Sequence, residues 1–575
     1  MEVAIHNCEV LVIGGGFAGA WAAIKAKDFS DTVLLVDKAK VAKSGASTFA
    51  AGIQLCPADG DDLNVWLREI VEASGYFADQ DWVDIFLRNQ IERIKEYDAW
   101  GARLERDEKG NIARIVGRGH INTRLFQFHG PELMALLKRQ ALQKGVKLIE
   151  RIMILDLLTS DGKHPTKGRV IGGVGLDTMT GEFHIFQAKA TILAAGGISP
   201  KYGRVVDNCT GDGVAAAFRC GAEVTNMEFC TTGNIVVWER KGFADGINMI
   251  QGHGAYFVNA LGQRFMEKYD SLLKERSVLY KLCMSFCKEA LEGRGPIYVD
   301  MRHFPRETFE KFKRVLPRPM KFWAEMGVDI SKQTIQCTPH FGVATTSGSG
   351  GIRVGLDCRT GIDGLFAAGA ITRSPIQGIY ALGGIATASC NVMGYIAGEN
   401  AAKAAVDTAK VEVDMGQVEE VRRLASAPLQ TTEGHEPADL FAAILEATVP
   451  APFSMFKSEN RIVKVLSKIE RIKEDLGRVT ARDHHELIRA NELRNYILCC
   501  ELVFRAALER KESRHYHYRE DYPYQDDLEW LKLVIMKKEE DRITIQHEPI
   551  PISRWPVRPE RLVKISHPVQ IFLGD

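Results

Sequence analysis

The sequence predicts an α/β fold, and three observations carry that expectation. Glu9–Gly19 reads Glu-Val-Leu-Val-Ile-Gly-Gly-Gly-Phe-Ala-Gly, so strand-forming residues run straight into Gly14, Gly15, Gly16 and Gly19. Ala20–Lys27 then reads as an Ala-rich helix and Thr32–Val36 as a second strand, closed by Asp37, 23 residues after Gly14. Further on, a helix over Leu133–Gln143 feeds a short apolar strand at Val146–Ile149, which extends a layered sheet. Strand, glycine turn, helix and terminal acid together make the dinucleotide-binding spacing. The glycines let backbone approach a pyrophosphate, whose charge the free N–H groups of the helix start stabilise. Asp37 stands where a carboxylate can accept hydrogen bonds from a ribose diol.

Composition bounds the rest. At 575 residues the chain exceeds the ~250–300 at which a single core stops growing, so two to four domains are expected. Its 74 basic and 74 acidic residues balance, which gives no bulk-charge reason for a nucleic-acid or membrane-surface partner. The first strand begins within ten residues of Met1 and no apolar run of about 18 residues occurs, so a soluble cytoplasmic protein is expected. The twelve cysteines, including Cys283 with Cys287 and Cys499 with Cys500, lack regular cluster spacing. They read as reduced core thiols with no metal site, and any iron–sulfur centre is expected on another protein of the complex.

In chain order, Lys38–Gly52 is a small-residue loop with three lysines, able to bring backbone close to a flat ring. Asp81–Trp100 reads as an amphipathic helix through Phe86, Ile91, Ile94 and Tyr97. A second glycine turn follows a buried strand at Ala190–Gly197, and Thr210-Gly-Asp-Gly opens a helix that ends near Gly221. Asp212 at that start is compatible with a capping role. Two such turns depart from a simple nicotinamide domain and point to a larger flavin domain. Ile462, Val465, Ile469, Ile472 and Leu476 recur at helical spacing, and Leu493–Arg510 is a second long helical pattern. Met415–Pro437, with scattered Gly, Pro and charge, reads as a linker, and the five-proline tail Arg542–Asp575 shows no periodicity.

The ordered set of Gly14–Gly19, Gly196–Gly197, Thr210–Gly213, Gly221-Ala-Glu, Met227-Glu-Phe and Val258-Asn-Ala-Leu-Gly-Gln-Arg-Phe-Met is specific. So are Glu275-Arg-Ser-Val, Tyr298-Val-Asp-Met, Thr338-Pro-His-Phe, Gly364-Leu-Phe-Ala-Ala-Gly and Glu512-Ser-Arg-His-Tyr-His-Tyr-Arg-Glu-Asp-Tyr-Pro. Over about residues 8 to 530 the chain resembles the flavoprotein subunits of succinate dehydrogenase and fumarate reductase. L-aspartate oxidase and the α-subunit of adenylylsulfate reductase are relatives in the same superfamily. The resemblance implies a discontinuous Rossmann-like FAD-binding domain with an inserted α+β capping domain and a C-terminal helical domain. The implied boundaries are FAD domain 1–233 and 351–410, cap 234–350, linker 411–437, helical domain 438–530 and C-terminal extension 531–575.

It also implies the site. FAD would touch Gly14, Gly16, Phe17, Ala18 and Gly19, then Asp37 and Lys38, then Ser44, Ser47, Thr48, Ala51 and Gly52. Further contacts would come from Ala195, Gly196, Asp212, Gly369, Leu382 and Ile385, the last opening a helix whose start could face the flavin pyrimidine carbonyls. Arg276 falls at the family's proton-donating arginine and His340 at the histidine that polarises a substrate oxygen. Since arginine's pKa exceeds ~12, Arg276 needs a burial and relay environment that sequence does not show. The partner implied is an iron–sulfur, ferredoxin-like subunit.

Departures bear on the substrate. The family's His-Gly-Ala-Asn-Arg-Leu-Gly is here Gln377-Gly-Ile-Tyr-Ala-Leu-Gly, with Ala381 where an arginine grips a carboxylate. A Thr-Glu pair falls on Ile247 and Asn248, and a histidine expected after Glu228-Phe-Cys-Thr-Thr-Gly is missing. A C4 dicarboxylate therefore loses its anchors. The histidine that carries covalent FAD falls near Ser47, which implies non-covalent FAD, and a family acid is replaced by Ala370. Three functions are expected to compete: an FAD-dependent oxidoreductase acting on another substrate, an adenylylsulfate reductase-like α-subunit, and a non-catalytic flavin electron-transfer subunit. The His515–Tyr524 segment is open to packing near the flavin or to facing a partner.

Overall fold

The computed structural model describes residues 4–50, 52–198, 208–237, 247–343, 350–380 and 382–568. Val10, Leu11, Val12 and Ile13 are buried on both faces of the first strand, Ala4–Ile13, which is why it sits centrally in a mostly parallel sheet. Its neighbours are Val33–Asp37 and Phe183–Leu193, both parallel, and Lys147–Glu150 extends the edge beyond Val33–Asp37. On the other side, Phe183–Leu193 is flanked by antiparallel Val170–Asp177, which pairs in turn with Ile152–Thr159. The end of Phe183–Leu193 also pairs with the returning strand Leu365–Ala367, in parallel. Chain from both halves of a discontinuous domain thus joins one sheet.

Two helices lie together against that sheet, Phe17–Ala26 and Ile385–Val406. Their contact is set by Gly394 and Gly398, where a Cβ would stand 2.3 and 2.2 Å from the carbonyl oxygens of Ala18 and Ala22. Only hydrogen at those two positions lets the backbones meet.

The inserted part forms its own antiparallel sheet in the order Thr231–Val237, Ile335–Val343, Ile297–Asp300, Tyr256–Val258. Leu279–Leu291 packs on it through Leu282, Cys283 and Phe286, all buried. Pro437–Thr448, Glu459–Asp475 and His484–Glu509 form the helical region, with Ile462, Val465, Ile469 and Ile472 inward as their spacing predicts.

One stretch differs from its sequence reading, and a second takes one of the courses the sequence leaves open. The linker region holds a helix, Met415–Ser426, started by Asp414, whose Oδ1 accepts the Gly416 N–H at 2.8 Å. Val418 and Ala425 bury against Leu155, Leu158 and Val174, an apolar stripe too short to stand out among the flanking charges. The proline-bearing tail, which the sequence leaves free to pack on the body or against a partner, packs on the body in its described residues. Lys532–Glu539 and Arg542–Pro549 pair as a hairpin, and Lys532–Glu539 adds to Val224–Thr225. Beyond the hairpin, Ile550 and Trp555 bury against Phe77 and Phe229.

Candidate active site

A cavity of about 310 Å³ runs past the ends of the parallel strands, where helix starts converge. Its wall begins at Gly14–Ala18, where Gly14 turns at φ +105°. A Cβ on Gly19 would lie 1.7 Å from the Gly14 carbonyl oxygen, so the turn and the following helix close only with glycine there. The helix from Phe17 has no side-chain cap on its own chain start. The Phe17 N–H instead donates to Ser47 Oγ at 3.0 Å, and the Gly15 N–H donates to Asp37 Oδ2 at 2.7 Å. Asp37 Oδ1 accepts from the Ala39 N–H at 2.8 Å, so this carboxylate also ties the second strand to its loop.

Lys38, expected from the sequence to touch FAD, is engaged by acids of its own chain. Its Nζ donates to Asp212 Oδ2 at 2.7 Å, Glu492 Oε1 at 2.9 Å and Thr210 Oγ1 at 3.1 Å. Burial alone pulls the ammonium pKa down, but the two carboxylates outweigh it and hold the group above the ordinary lysine value. Asp212 is not the helix cap: Gly211 takes that place in a left-handed conformation, with Asp212 in the first turn. Asp212 Oδ1 also accepts from Asn495 Nδ2 at 2.9 Å. Glu492 and Asn495, from the long helix of the C-terminal region, thus reach one end of the cavity. No motif marked them, because a helix face contributes them one turn apart.

At the other end lie Ser374, Gln377, Leu382, Gly383, Gly384 and the start of Ile385–Val406. Glu69 organises the adjoining loop: its carboxylate accepts the N–H groups of Ile121, Asn122 and Thr123 at 2.9, 2.6 and 3.2 Å. His120 bridges that loop to the rim, with Nδ1 2.6 Å from Thr123 Oγ1 and Nε2 2.9 Å from the Gly383 carbonyl. Burial drives the His120 pKa down to about 4 against the pull of Glu69, so the ring is neutral at pH 7. The preceding residue, Gly119, donates its N–H to the Arg276 carbonyl at 2.9 Å. This loop also puts Arg118 on the cavity wall.

The expected site residues divide accordingly. Gly14, Gly16, Phe17, Ala18, Asp37, Lys38, Ser44, Ser47, Ala195, Gly196, Asp212 and Leu382 share the wall. Gly19, Thr48, Gly52, Gly369 and Ile385 stand behind it: Thr48 Oγ1 donates to the Ser44 carbonyl, Gly52 accepts from the Phe128 N–H, and Ile385 is core. Ala51 and Ala381 lie outside the described residues. Arg276 is half-buried in the short turn Lys274–Arg276, off the wall, and its guanidinium has no partner among the described residues. Its neighbour Glu275 is held by Arg264 through bonds of 2.5 and 2.7 Å. His340 lies mid-strand with its backbone opposite Asn234, and its side chain is outside the described residues. Tyr516, His517, Tyr518 and Arg519 are buried, so the first half of the His515–Tyr524 segment faces inward, while Glu520, Asp521 and Tyr524 are exposed.

The wall fits FAD: helix starts at Phe17 and Ile385 open onto it without side-chain caps, and its first turn tolerates no Cβ. Comparison with known proteins agrees. An FAD binding domain model matches residues 9–387, and one for the fumarate reductase flavoprotein C-terminus matches residues 443–563. A chain of the fumarate reductase (CoM/CoB) of Methanothermobacter marburgensis is 30% identical, over 94% of this chain and 98% of its own. Among solved structures, the quinol fumarate reductase of E. coli superposes with a TM-score of 0.87 at 23% identity, over 97% of this chain and 99% of that one. The adenylylsulfate reductase of Archaeoglobus fulgidus gives 0.81 at 23% identity, over 95% and 97%.

Proposed function

The chain belongs to the succinate dehydrogenase and fumarate reductase flavoprotein superfamily and is an FAD-dependent oxidoreductase, and from that premise we propose its reaction. It exchanges hydride with a substrate other than a C4 dicarboxylate, an activated unsaturated acid or thioester, and exchanges electrons with a ferredoxin-like iron–sulfur subunit. FAD bound along the wall supplies the hydride chemistry. Arg276 moves the matching proton and His340 polarises a substrate oxygen.

The observation that carries this reading is the segment Gln377–Tyr380. Where the family places a carboxylate-binding run, Tyr380 is buried and its Oη accepts the Leu279 N–H of the cap at 2.9 Å. Tyr280 and His515 pack against the same ring at 6.3 and 5.7 Å between centroids. Aromatic packing and a backbone tie thus take up Tyr380, the residue before the position where the family carries its carboxylate-binding arginine. FAD is held without a covalent bond, since Ser47 stands at the linking position with its hydroxyl engaged by Phe17.

Arg276→Lys tests the proton donor: turnover should vanish while bound FAD and its spectrum stay intact, and retained activity would remove Arg276 from the mechanism. An adenylylsulfate reductase-like reaction would instead announce itself by flavin bleaching with sulfite plus AMP.

A further inference from the structure

Among the described residues two cations line the cavity, Lys38 and Arg118. Lys38 is spent on Asp212 and Glu492. Arg118 is 4% exposed and has no carboxylate partner among the described residues. Its Nη1 makes one long bond, 3.5 Å to Gln251 Oε1, and its Nε has no partner among the described residues. A buried guanidinium with unspent donors is costly unless something completes it. No described acid on the wall does so, because Asp37 is taken by the Gly15 and Ala39 N–H groups and Asp212 by Lys38.

Arg118 is also held in position from three sides. Gly119 is tied to the Arg276 carbonyl, His120 to the Gly383 carbonyl, and Gln251 Nε2 donates to the Glu275 carbonyl at 3.2 Å. The guanidinium therefore stands between the cap segment Glu275–Arg276 and the rim at Leu382–Gly384. A planar fork of donors in that place matches a carboxylate in two-point contact. One such cation serves one carboxylate.

We propose that Arg118 anchors the substrate of this site by a single carboxylate, in the role that Ala381 cannot fill. The anchor rests on reading the cavity as a flavin and substrate site, and it narrows the substrate to a monocarboxylic unsaturated acid. The test is titration of flavin-loaded protein with crotonate, crotonamide and fumarate, followed by flavin absorbance. Crotonate should give a saturable change and neutral crotonamide none. Arg118→Ala should weaken crotonate at least about tenfold, as for loss of a charge-assisted hydrogen bond, with FAD content unchanged. Arg118→Gln, which keeps the chain length, should show the same loss and covers the case in which the alanine variant does not fold. Arg118→Lys should keep part of the affinity.

Unchanged crotonate affinity in either neutral variant overturns the anchor, as does the absence of any saturable change. Loss of FAD in the variants overturns it too, because the guanidinium would then serve the cofactor. Binding needs no turnover, so crotonate held through Arg118 in a protein that reduces no acid keeps the anchor and removes the proposed reaction. In a protein that carries no flavin, a crotonate-dependent thermal shift lost in Arg118→Gln reads the anchor separately.

Discussion

Replacing Lys38 by methionine removes the cation that joins Asp212, beside the second glycine turn, to Glu492 on the C-terminal helix. The side chains of Lys38, Asp212 and Glu492 keep 17%, 15% and 3% of their exposure, so the site is nearly dry. Breaking a buried pair by deleting one partner costs about 3–5 kcal/mol, and the residual exposure of Lys38 and Asp212 places this case near 3. At about 2–4 °C per kcal/mol for large units, the melting temperature should fall by roughly 6–12 °C. The double variant Lys38→Met/Glu492→Gln should recover most of that loss. Asp212 would keep Thr210 Oγ1 at 3.0 Å and Asn495 Nδ2 at 2.9 Å, so its carboxylate stays satisfied without the cation. Differential scanning calorimetry of the flavin-loaded proteins measures both. A single-variant drop below about 2 °C, or a double variant as unstable as the sum of its singles, would refute the coupling of Lys38 to the two acids.

Two further substitutions probe the frame. Gly19→Ala puts a Cβ 1.7 Å from the Gly14 carbonyl, so the purified variant should lack the yellow flavin spectrum; full FAD content would mean the turn can open. Lys457 is fully buried with its Nζ unpartnered among the described residues, and burial, then Arg519 beside it, drives its pKa down to about 7 against the pull of Glu228. The unfolded chain therefore binds the extra proton between about pH 7 and 10.5, and native stability is lost as pH falls through that window. Lys457→Met should raise the melting temperature at pH 7 and lose that advantage above pH 10.5; a destabilised variant at pH 7 would show a partner for the amine.

Local chemistry makes much of this legible in sequence. The glycine turn, its flanking strands and Asp37 lie within one short stretch, and backbone sterics fix their roles. The helical region is readable because Ile462 to Ile472 repeat at helical spacing. What escapes are roles assembled across the chain. Lys38 meets Glu492 across 454 positions, and Gln251 meets Arg118 across 133, with no periodicity to announce either. Asp212 resembles a cap because its place near a helix start is what sequence shows; its partners are what structure shows. The Met415–Ser426 helix escapes for a different reason, a buried stripe of only a few small apolar residues. Arg118 sits in a loop with no motif, and contacts far apart in sequence fix it on the wall: Glu69 gripping Ile121, Asn122 and Thr123, Gly119 on the Arg276 carbonyl and His120 on the Gly383 carbonyl.

The most direct measurement is stopped-flow reoxidation of the chemically reduced, flavin-loaded protein by crotonate and fumarate under anaerobic conditions. The proposed function predicts reoxidation by crotonate and, for fumarate, a rate at least about thirtyfold lower, as expected when a second carboxylate is buried without a partner. Fumarate reoxidising the flavin as fast as or faster than crotonate would contradict the exclusion of C4 dicarboxylates at its root.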